Sequence, residues 1–282
     1  MSSINPEPLI LAFVKDLMFT ARIAKAAEHV GYRVKWVESA SDVGDVDPDA
    51  MPELPGELLR GQEGKLFELV AMWQPALMLF DLNNSAIPWF DWIAALKSAA
   101  ATRRIPIMCF GPHEDVETMR RARSAGADAV LARSRFSADM PALFQQFARI
   151  PDREALRSAC GEPLSGLAKA GINLINQRAF YPAHDKLEEA WMKDEGPGRD
   201  LYRAMLQVGI AYYQIEKGNY RGAIKMLLRV QQWLDPLPDV CRTVDVAGLR
   251  ADARRVYRAL VELGPQRVSE FDRELFNPIV TV

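Results

Sequence analysis

Residues 180–191, F-Y-P-A-H-D-K-L-E-E-A-W, combine side chains that can do chemistry at helical spacing. As a helix with about 100° per residue, the segment places His184, Glu188 and Trp191 within about 60° of one another on one face. A histidine and a glutamate four residues apart can act as acid and base, supply two metal ligands, or form a buried hydrogen-bonded pair. The groups nearby decide which of these chemistries the segment supports.

Potential partners for this pair are few. A metal site needs three or more protein ligands, and the second half of the chain has no histidine other than His184. No nucleophile or set of oxyanion donors is recognisable beside it. We therefore expect a buried polar network in which Gln207 completes the hydrogen bonding of His184 and Glu188. A binding pocket with Trp191 and Tyr213 among its walls is the first alternative. Metal binding or acid–base catalysis is the second.

The same segment belongs to a weak internal repeat with an offset of 40 residues. Phe180 matches Tyr220 and Ala183 matches Ala223, so that His184 takes the place of Ile224. Each copy has the form helix, short turn, aromatic-x-x-Ala, helix, which is the pattern of tetratricopeptide-like hairpins. Two such hairpins are expected to pack as a helical bundle. The repeat predicts that His184 occupies a core position.

Short apolar runs alternate with amphipathic segments over the first half of the chain. Runs that are apolar at nearly every position are typical of parallel strands that are buried on both faces. Five such β–α units, joined by right-handed crossovers, predict a doubly wound α/β domain with a five-stranded parallel sheet and helices on both faces. The predicted strands lie at 9–14, 33–37, 76–81, 105–110 and 129–132.

The segments P-A-L-M-L-F-D-L, R-R-I-P-I-M-C-F and S-A-G-A-D-A-V-L-A-R occur in an order known from one family. Over roughly residues 7–150 the chain resembles the CheY-like receiver domain of two-component response regulators. The resemblance implies a flavodoxin-like fold in which Asp81, at the end of the third strand, takes the phosphoacceptor position.

Other positions of the receiver site depart from the family pattern. Val14 and Lys15 lie nearest the places of the acidic pair that holds Mg²⁺, Gly111 replaces the hydroxyl residue, and Arg133 replaces the lysine. Because phosphoryl transfer depends on metal and positioned charge, we predict a pseudo-receiver that is not phosphorylated. In the alternative, Asp16 substitutes for the acidic pair and Asp81 is phosphorylated.

The second half of the chain changes to helical periodicity. Its H-x-x-x-E-x-x-W motif at 184–191 is followed by L-Q-V-G-I-A at 206–211 and by K-G-N-Y-R-G-A at 217–223. Across about residues 163–240 these motifs resemble the helical proteins catalogued as domain of unknown function 309. The resemblance implies a fold without naming a reaction.

Chain length and composition bound the architecture. A chain of 282 residues exceeds the usual size of one domain, and a content of 49% hydrophobic and 26% charged residues is that of a globular protein. We expect four parts, a pseudo-receiver at 1–150, a linker at 151–162, an all-α helical bundle at 163–265 and a tail at 266–282.

Charge and cysteine spacing limit the partners and the compartment. A net charge of −2 with interspersed signs favours neither nucleic acid nor an anionic membrane, and no window approaches about 18 uninterrupted apolar residues. The three cysteines show no paired or metal-type spacing, which indicates a reducing cytoplasm. We expect no cofactor.

The expected function is non-catalytic signalling or scaffolding, with the pseudo-receiver coupled to a helical interaction or ligand-binding domain. A protein partner and a homodimer are expected, because receivers commonly dimerise and because Trp89, Trp92 and the apolar tail have no assigned role. The alternative is a small-molecule or metal-dependent enzyme with its site at His184 and Glu188.

Overall fold

Five apolar segments of the first half pair into one parallel sheet. The computed structural model describes residues 7–44 and 61–282. The strands are β1 (Leu9–Phe13), β2 (Arg33–Trp36), β3 (Leu77–Asp81), β4 (Ile107–Gly111) and β5 (Ala129–Ala132). They are hydrogen-bonded in the order β2-β1-β3-β4-β5, with every pair parallel. This is the flavodoxin-like order predicted from the sequence. The predicted fold class of this part is therefore confirmed.

Helices cover both faces of the sheet, as expected for strands whose residues are buried on either side. Phe13, Phe80 and Trp92 belong to the apolar cluster on one face, and Phe110 and Phe136 belong to the cluster on the other. Trp92 is fully buried, so it is not the exposed apolar side chain that was expected to serve a dimer. The helices are α1 (Leu17–His29), α2 (Gly61–Trp73), α3 (Trp89–Ser98), α4 (Val116–Ser124), α5 (Arg133–Ala138) and α6 (Met140–Phe147).

Residues 1–150 form one compact unit and residues 151–282 form a second, which is mostly helical as predicted. A small antiparallel hairpin, β6 (Val240–Cys241) and β7 (Val244–Asp245), interrupts its helices. Among the helices of the described residues, none is long and apolar enough to cross a membrane. The helices are α7 (Arg153–Cys160), α8 (Gly166–Asn176), α9 (Phe180–Lys193), α10 (Asp200–Glu216), α11 (Tyr220–Leu234) and α12 (Val246–Leu263).

The turns between α8 and α9 and between α10 and α11 have the same backbone form. Arg178 and Gly218, forty residues apart, both have positive φ angles, of 61° and 71°. Ala179 and Asn219 stand immediately before the aromatic residue of each repeat. The backbone N–H of each donates a hydrogen bond to a carbonyl of the preceding helix. The offset seen in the sequence therefore extends to the backbone of the two turns.

A disulfide joins Cys160, the last residue of α7, to Cys241 in β6. The expectation of unpaired cysteines is therefore wrong. The two residues are 81 positions apart, and only the packing of β6 against α7 brings them together. Cys109 is a free thiol in β4, and burial raises its pKa above the ordinary value.

The C-terminal tail packs on its own unit. Phe276 stacks on Tyr212 with ring centroids 4.4 Å apart, and its ring also lies edge-on to Phe180. The side chain of Asn176 accepts a hydrogen bond from Ile279 N at 2.8 Å and donates one to Ile279 O at 3.0 Å. Phe276 and Ile279 are thereby buried against the unit to which they belong, so this part of the tail's apolar surface is covered.

Candidate functional site

A polar cleft lies at the carboxyl ends of β1, β3 and β5, where open parallel sheets bind their ligands. Its volume is about 230 Å³. Four of the residues predicted from the receiver resemblance meet there, together with three polar residues of the loop after β3. The cleft is lined by Lys15, Asp16, Asp81, Asn83, Asn84, Ser85 and Arg133.

An ion pair between Asp81 and Arg133 forms part of the lining of this cleft. Arg133 Nη2 lies 2.9 Å from Asp81 Oδ1 and 2.7 Å from Oδ2, so one guanidinium nitrogen contacts both carboxylate oxygens. Asn83 N also donates to Oδ1, at 3.0 Å. The Arg133 guanidinium lies 4.9 Å from the centre of the Phe19 ring. The side chain of Asp81 is 3% exposed, so the carboxylate is buried, paired and hydrogen-bonded.

The residues at the end of β1 have other roles in the fold. Asp16 caps α1, since its Oδ1 accepts hydrogen bonds from Met18 N at 2.9 Å and from Phe19 N at 3.2 Å. Lys15 is exposed beside it. Its ammonium group adds positive charge at the place where the receiver family has carboxylates.

Gly111 ends β4 beside the cleft. A β-carbon at this position would lie 3.3 Å from Leu82 Cβ and Cδ1, closer than ordinary contact. The glycine lets Leu82 pack against the strand end. A hydroxyl side chain here would require Leu82 to move.

The residues present do not fit the Mg²⁺ ion of the receiver family. Mg²⁺ needs several oxygen ligands in near-octahedral geometry. Here one carboxylate, Asp16, caps a helix, the other, Asp81, is held by Arg133, and Lys15 adds a cation. Across residues 7–44 and 61–282, no three His, Cys, Asp or Glu side chains come together as a metal-binding group.

The predicted buried pair of His184 and Glu188 does not form. Glu188 is exposed, and the His184 side chain is 30% exposed, with Nδ1 lying 3.2 Å from Asp185 Oδ1. The core stripe of α9 consists of Phe180, Ala183, Leu187 and Ala190. On the helical wheel His184 lies about 80° and Glu188 about 120° from the centre of that stripe, on its flank. The expectation that His184 is a core position is therefore wrong.

The flank of α9 faces α10 along a row of aromatic and cationic side chains. Tyr181, which is 59% exposed, has its ring 5.5 Å from that of Tyr213. Near the other end of α9, the Arg203 guanidinium lies 4.8 Å from the Trp191 ring and 4.2 Å from the Trp233 ring. We call this row, which runs from Tyr181 past His184 to Trp191, the α9 flank.

Two buried side-chain polar atoms of α9 and α10 have no hydrogen-bond partner within the described part of the chain. They are Gln207 Oε1 in α10 and Trp191 Nε1 in α9. Gln207 is only 4% exposed. An unpaired buried acceptor or donor costs free energy, so such atoms indicate a water or ligand position. Gln207 lies in α10, which packs against α9, and it forms no hydrogen bond to the exposed Glu188.

Two groups of polar residues were not predicted. Asn83, Asn84 and Ser85 form a polar run that begins two residues after the end of the buried strand β3, and this run was the available signal. Arg242 was missed altogether. Its side chain is 4% exposed and pairs with Asp194, and no sequence pattern distinguishes it from a surface arginine.

Three solved structures are similar to this chain, and each covers about half of it, the N-terminal half. One is a response regulator in red light signalling of R. palustris, at 12% identity and a TM-score of 0.36, covering 50% of this chain and 93% of its own. The receiver domain of a sensor histidine kinase from Pseudomonas aeruginosa PAO1 is 14% identical with a TM-score of 0.38, and the match covers 50% of this chain and 97% of that one. A CheY-like protein from the same organism is 14% identical with a TM-score of 0.37, and the match covers 49% of this chain and 98% of that one.

Among curated proteins, none matches this chain in sequence. Residues 168–226 match the family model described as domain of unknown function DUF309. The match begins in α8, ends in α11 and includes every predicted site residue of the helical part. The strand order of the N-terminal half is that of the predicted fold, and residues 168–226 match the DUF309 model within the range where the sequence analysis found that resemblance.

Proposed function

We propose that this protein is a non-catalytic signalling adaptor whose receiver-like unit works without phosphorylation and is coupled to a helical binding unit. The observation that carries the proposal is the ion pair of Asp81 with Arg133. In this pairing the carboxylate is neutralised by a cation that belongs to the fold.

Charge and access at the cleft support the proposal. A carboxylate that accepts a phosphoryl group needs a free oxygen in line with the leaving group, and the incoming phosphoryl oxygens need a metal or other cations. Arg133 contacts both oxygens of Asp81. Withdrawing the guanidinium would leave a buried carboxylate unpaired, and Lys15 does not replace the acidic ligand that Mg²⁺ requires. We therefore infer that the unit transmits a signal by binding, not by phosphoryl transfer.

The helical unit supplies the binding surface in this proposal. The α9 flank combines the exposed Tyr181 with the partly exposed His184 and the cation-stacked Trp191. Aromatic side chains at a surface are typical of interaction sites. We propose a protein partner for this flank, a homodimer as the assembled form, and the cytoplasm as the compartment.

Acetyl phosphate with Mg²⁺ tests the phosphorylation-independent role directly. We expect intact-mass spectrometry to show no phosphoryl adduct on the full chain under conditions that fully label an active receiver. Asp81→Asn is the matched control, because it removes the acceptor while keeping the shape of the side chain. A base-labile adduct that is present in the wild type and lost in Asp81→Asn would overturn the proposal. Arg133→Lys should also stay unlabelled, since it does not restore the acidic pair.

A ligand-binding role of the helical unit, including the small-molecule or metal-dependent alternative at His184 and Glu188, is the second candidate. The unpaired buried Gln207 Oε1 favours it. Native mass spectrometry of the protein purified from cells is the test. Retention of a metabolite or metal that is lost in Gln207→Met or His184→Ala would support a ligand site. If the protein is purified without a ligand and Gln207→Met keeps its stability, the ligand site is contradicted and the adaptor role is the remaining candidate.

A further inference from the structure

The hairpin of β6 and β7 turns through two residues in the left-handed region. Arg242 has φ 50° and Thr243 has φ 68°. Two-residue hairpin turns of this form strongly favour Asn and Gly, and a β-branched residue at positive φ is a conformational outlier. The surrounding structure must therefore hold this turn in place.

Contacts of the Arg242 side chain hold one side of the turn. Nη2 lies 2.8 Å from Glu162 Oε2, Nε donates to Ala159 O at 3.1 Å, and Nη1 donates to Asp194 and to the Tyr202 hydroxyl. Burial by itself lowers the pKa of Arg242, but the hydrogen bonds to Asp194 and Tyr202 outweigh it and raise the pKa. The guanidinium thus joins α7, the end of α9 and α10.

The disulfide holds the other side of the turn. Cys241 precedes Arg242, and its disulfide partner Cys160 also accepts a hydrogen bond from Arg242 N at 2.7 Å. Both sulfur-bearing residues are buried. The covalent bond and the guanidinium therefore fasten the same hairpin to the same end of α7.

A path of contacts leads from Arg242 to the α9 flank. Asp194, which binds Arg242, is the C-cap residue that follows the last residue of α9. Its backbone oxygen accepts a hydrogen bond from Arg199 Nη1 at 3.3 Å, and the Arg199 guanidinium lies 5.1 Å from the Trp191 ring. A change in the position of Arg242 therefore acts on the end of α9 through Asp194.

We infer that the disulfide between Cys160 and Cys241 is a redox switch that controls the order of α7 and of the C-terminal end of α9. A cellular dithiol reduces it by two thiol–disulfide exchanges, in which the dithiol supplies two electrons and two protons, becomes a disulfide and leaves two protein thiols. Once the cross-link is broken, the hairpin relaxes toward ordinary φ values, and Arg242 loosens its hold on Asp194. The switch regulates the helical unit and does not depend on the phosphorylation state of Asp81.

The switch is distinguished from a permanent cross-link by reducing the native full chain. The protein is equilibrated in dithiol and glutathione buffers, the thiols are alkylated and counted by mass spectrometry, and hydrogen exchange is measured by peptide. We expect reversible reduction without global unfolding, and exchange at least about tenfold faster at 153–160 and 190–194. Peptides of β3 and β4 serve as the internal reference and should not change.

Three variants sharpen the result. Cys109→Ser removes the free thiol and should leave the switch unchanged, whereas Cys160→Ser should show the exchange pattern of the reduced protein without any reductant. Arg242→Gln should loosen 190–194 while the disulfide stays intact. Three free thiols in the air-exposed wild type, or two in Cys109→Ser, would overturn the switch. Reduction only on global unfolding, or unchanged exchange after reduction, would also overturn it. Unchanged protection of 190–194 in a folded Arg242→Gln variant would overturn the path through Asp194.

Discussion

Replacing Arg133 by alanine leaves the Asp81 carboxylate without the cation that contacts both of its oxygens. The side chain of Asp81 is 3% exposed and keeps the hydrogen bond from Asn83 N at 3.0 Å. Removing one partner of a buried ion pair costs about 3–5 kcal/mol, because the remaining charge stays buried. The Arg133 side chain is itself 29% exposed, so water can enter beside the shortened residue. We therefore expect a loss of about 3 kcal/mol in the free energy of unfolding.

The chain offers a matched control on the same unit. Arg120 and Glu117 also form an ion pair with a nitrogen–oxygen distance of 2.7 Å, but their side chains are 69% and 64% exposed. An ion pair exposed to solvent contributes little to stability, so Arg120→Ala should cost little. Urea unfolding of the full chain, with the N-terminal unit followed by hydrogen exchange of β3 and β4 peptides, measures both variants.

The outcome separates the burial argument from a general effect of removing an arginine. A loss for Arg133→Ala no greater than that for Arg120→Ala would refute the reasoning. If the stranded charge is the cause, adding Asp81→Asn to Arg133→Ala should restore part of the lost stability, because it removes that charge.

Two further variants test packing and pH dependence. Gly171→Ala places a β-carbon 2.6 Å from Leu187 Cγ, and we expect the free energy of unfolding to fall by about 1–3 kcal/mol because of overpacking. Gly166→Ala is the control, because its added carbon meets no atom within 4 Å. An equal loss for both variants in urea unfolding would contradict the steric cause. Burial raises the pKa of Asp235. The folded state therefore holds the proton of this carboxyl more tightly than the unfolded state does, and the stability that protonation adds at low pH is lost as the pH rises through the folded pKa. The stability of Asp235→Asn relative to the wild type should increase from about pH 4 to about pH 7; a relative decrease in urea unfolding over that range would contradict the sign.

The receiver-like unit could be predicted because its strands are buried on both faces. Leu9–Phe13 and Leu77–Asp81 have every residue buried, so the sequence shows a continuous apolar run at each strand. The residues that follow parallel strands meet at one edge of the sheet. For that reason the resemblance also brought Asp81 and Arg133 to the same place, although it did not predict that they bind each other.

The helical site was harder to predict because the sequence does not show where the buried face of a helix ends and its partly exposed flank begins. Periodicity places His184 and Glu188 on one side of α9 but does not show whether that side is the centre of the buried stripe or its flank. Leu187, which is fully buried, marks the centre. The disulfide and Arg242 were beyond prediction for a different reason, since their contacts join segments about 40–80 residues apart and leave no local pattern.

The departures at the receiver-like cleft fit together as one arrangement. A lysine ammonium is a compact point charge, whereas a guanidinium is planar and can bind a carboxylate while it stacks on a ring. Arg133 does both, since it contacts Asp81 on one side and Phe19 on the other. Because this cation is part of the fold, the carboxylate does not need a metal to balance its charge, and Lys15 is tolerated where a metal site would exclude it. The charge of Asp81 is thus balanced from within the chain, and in the proposed adaptor role the binding of a partner falls to the helical unit.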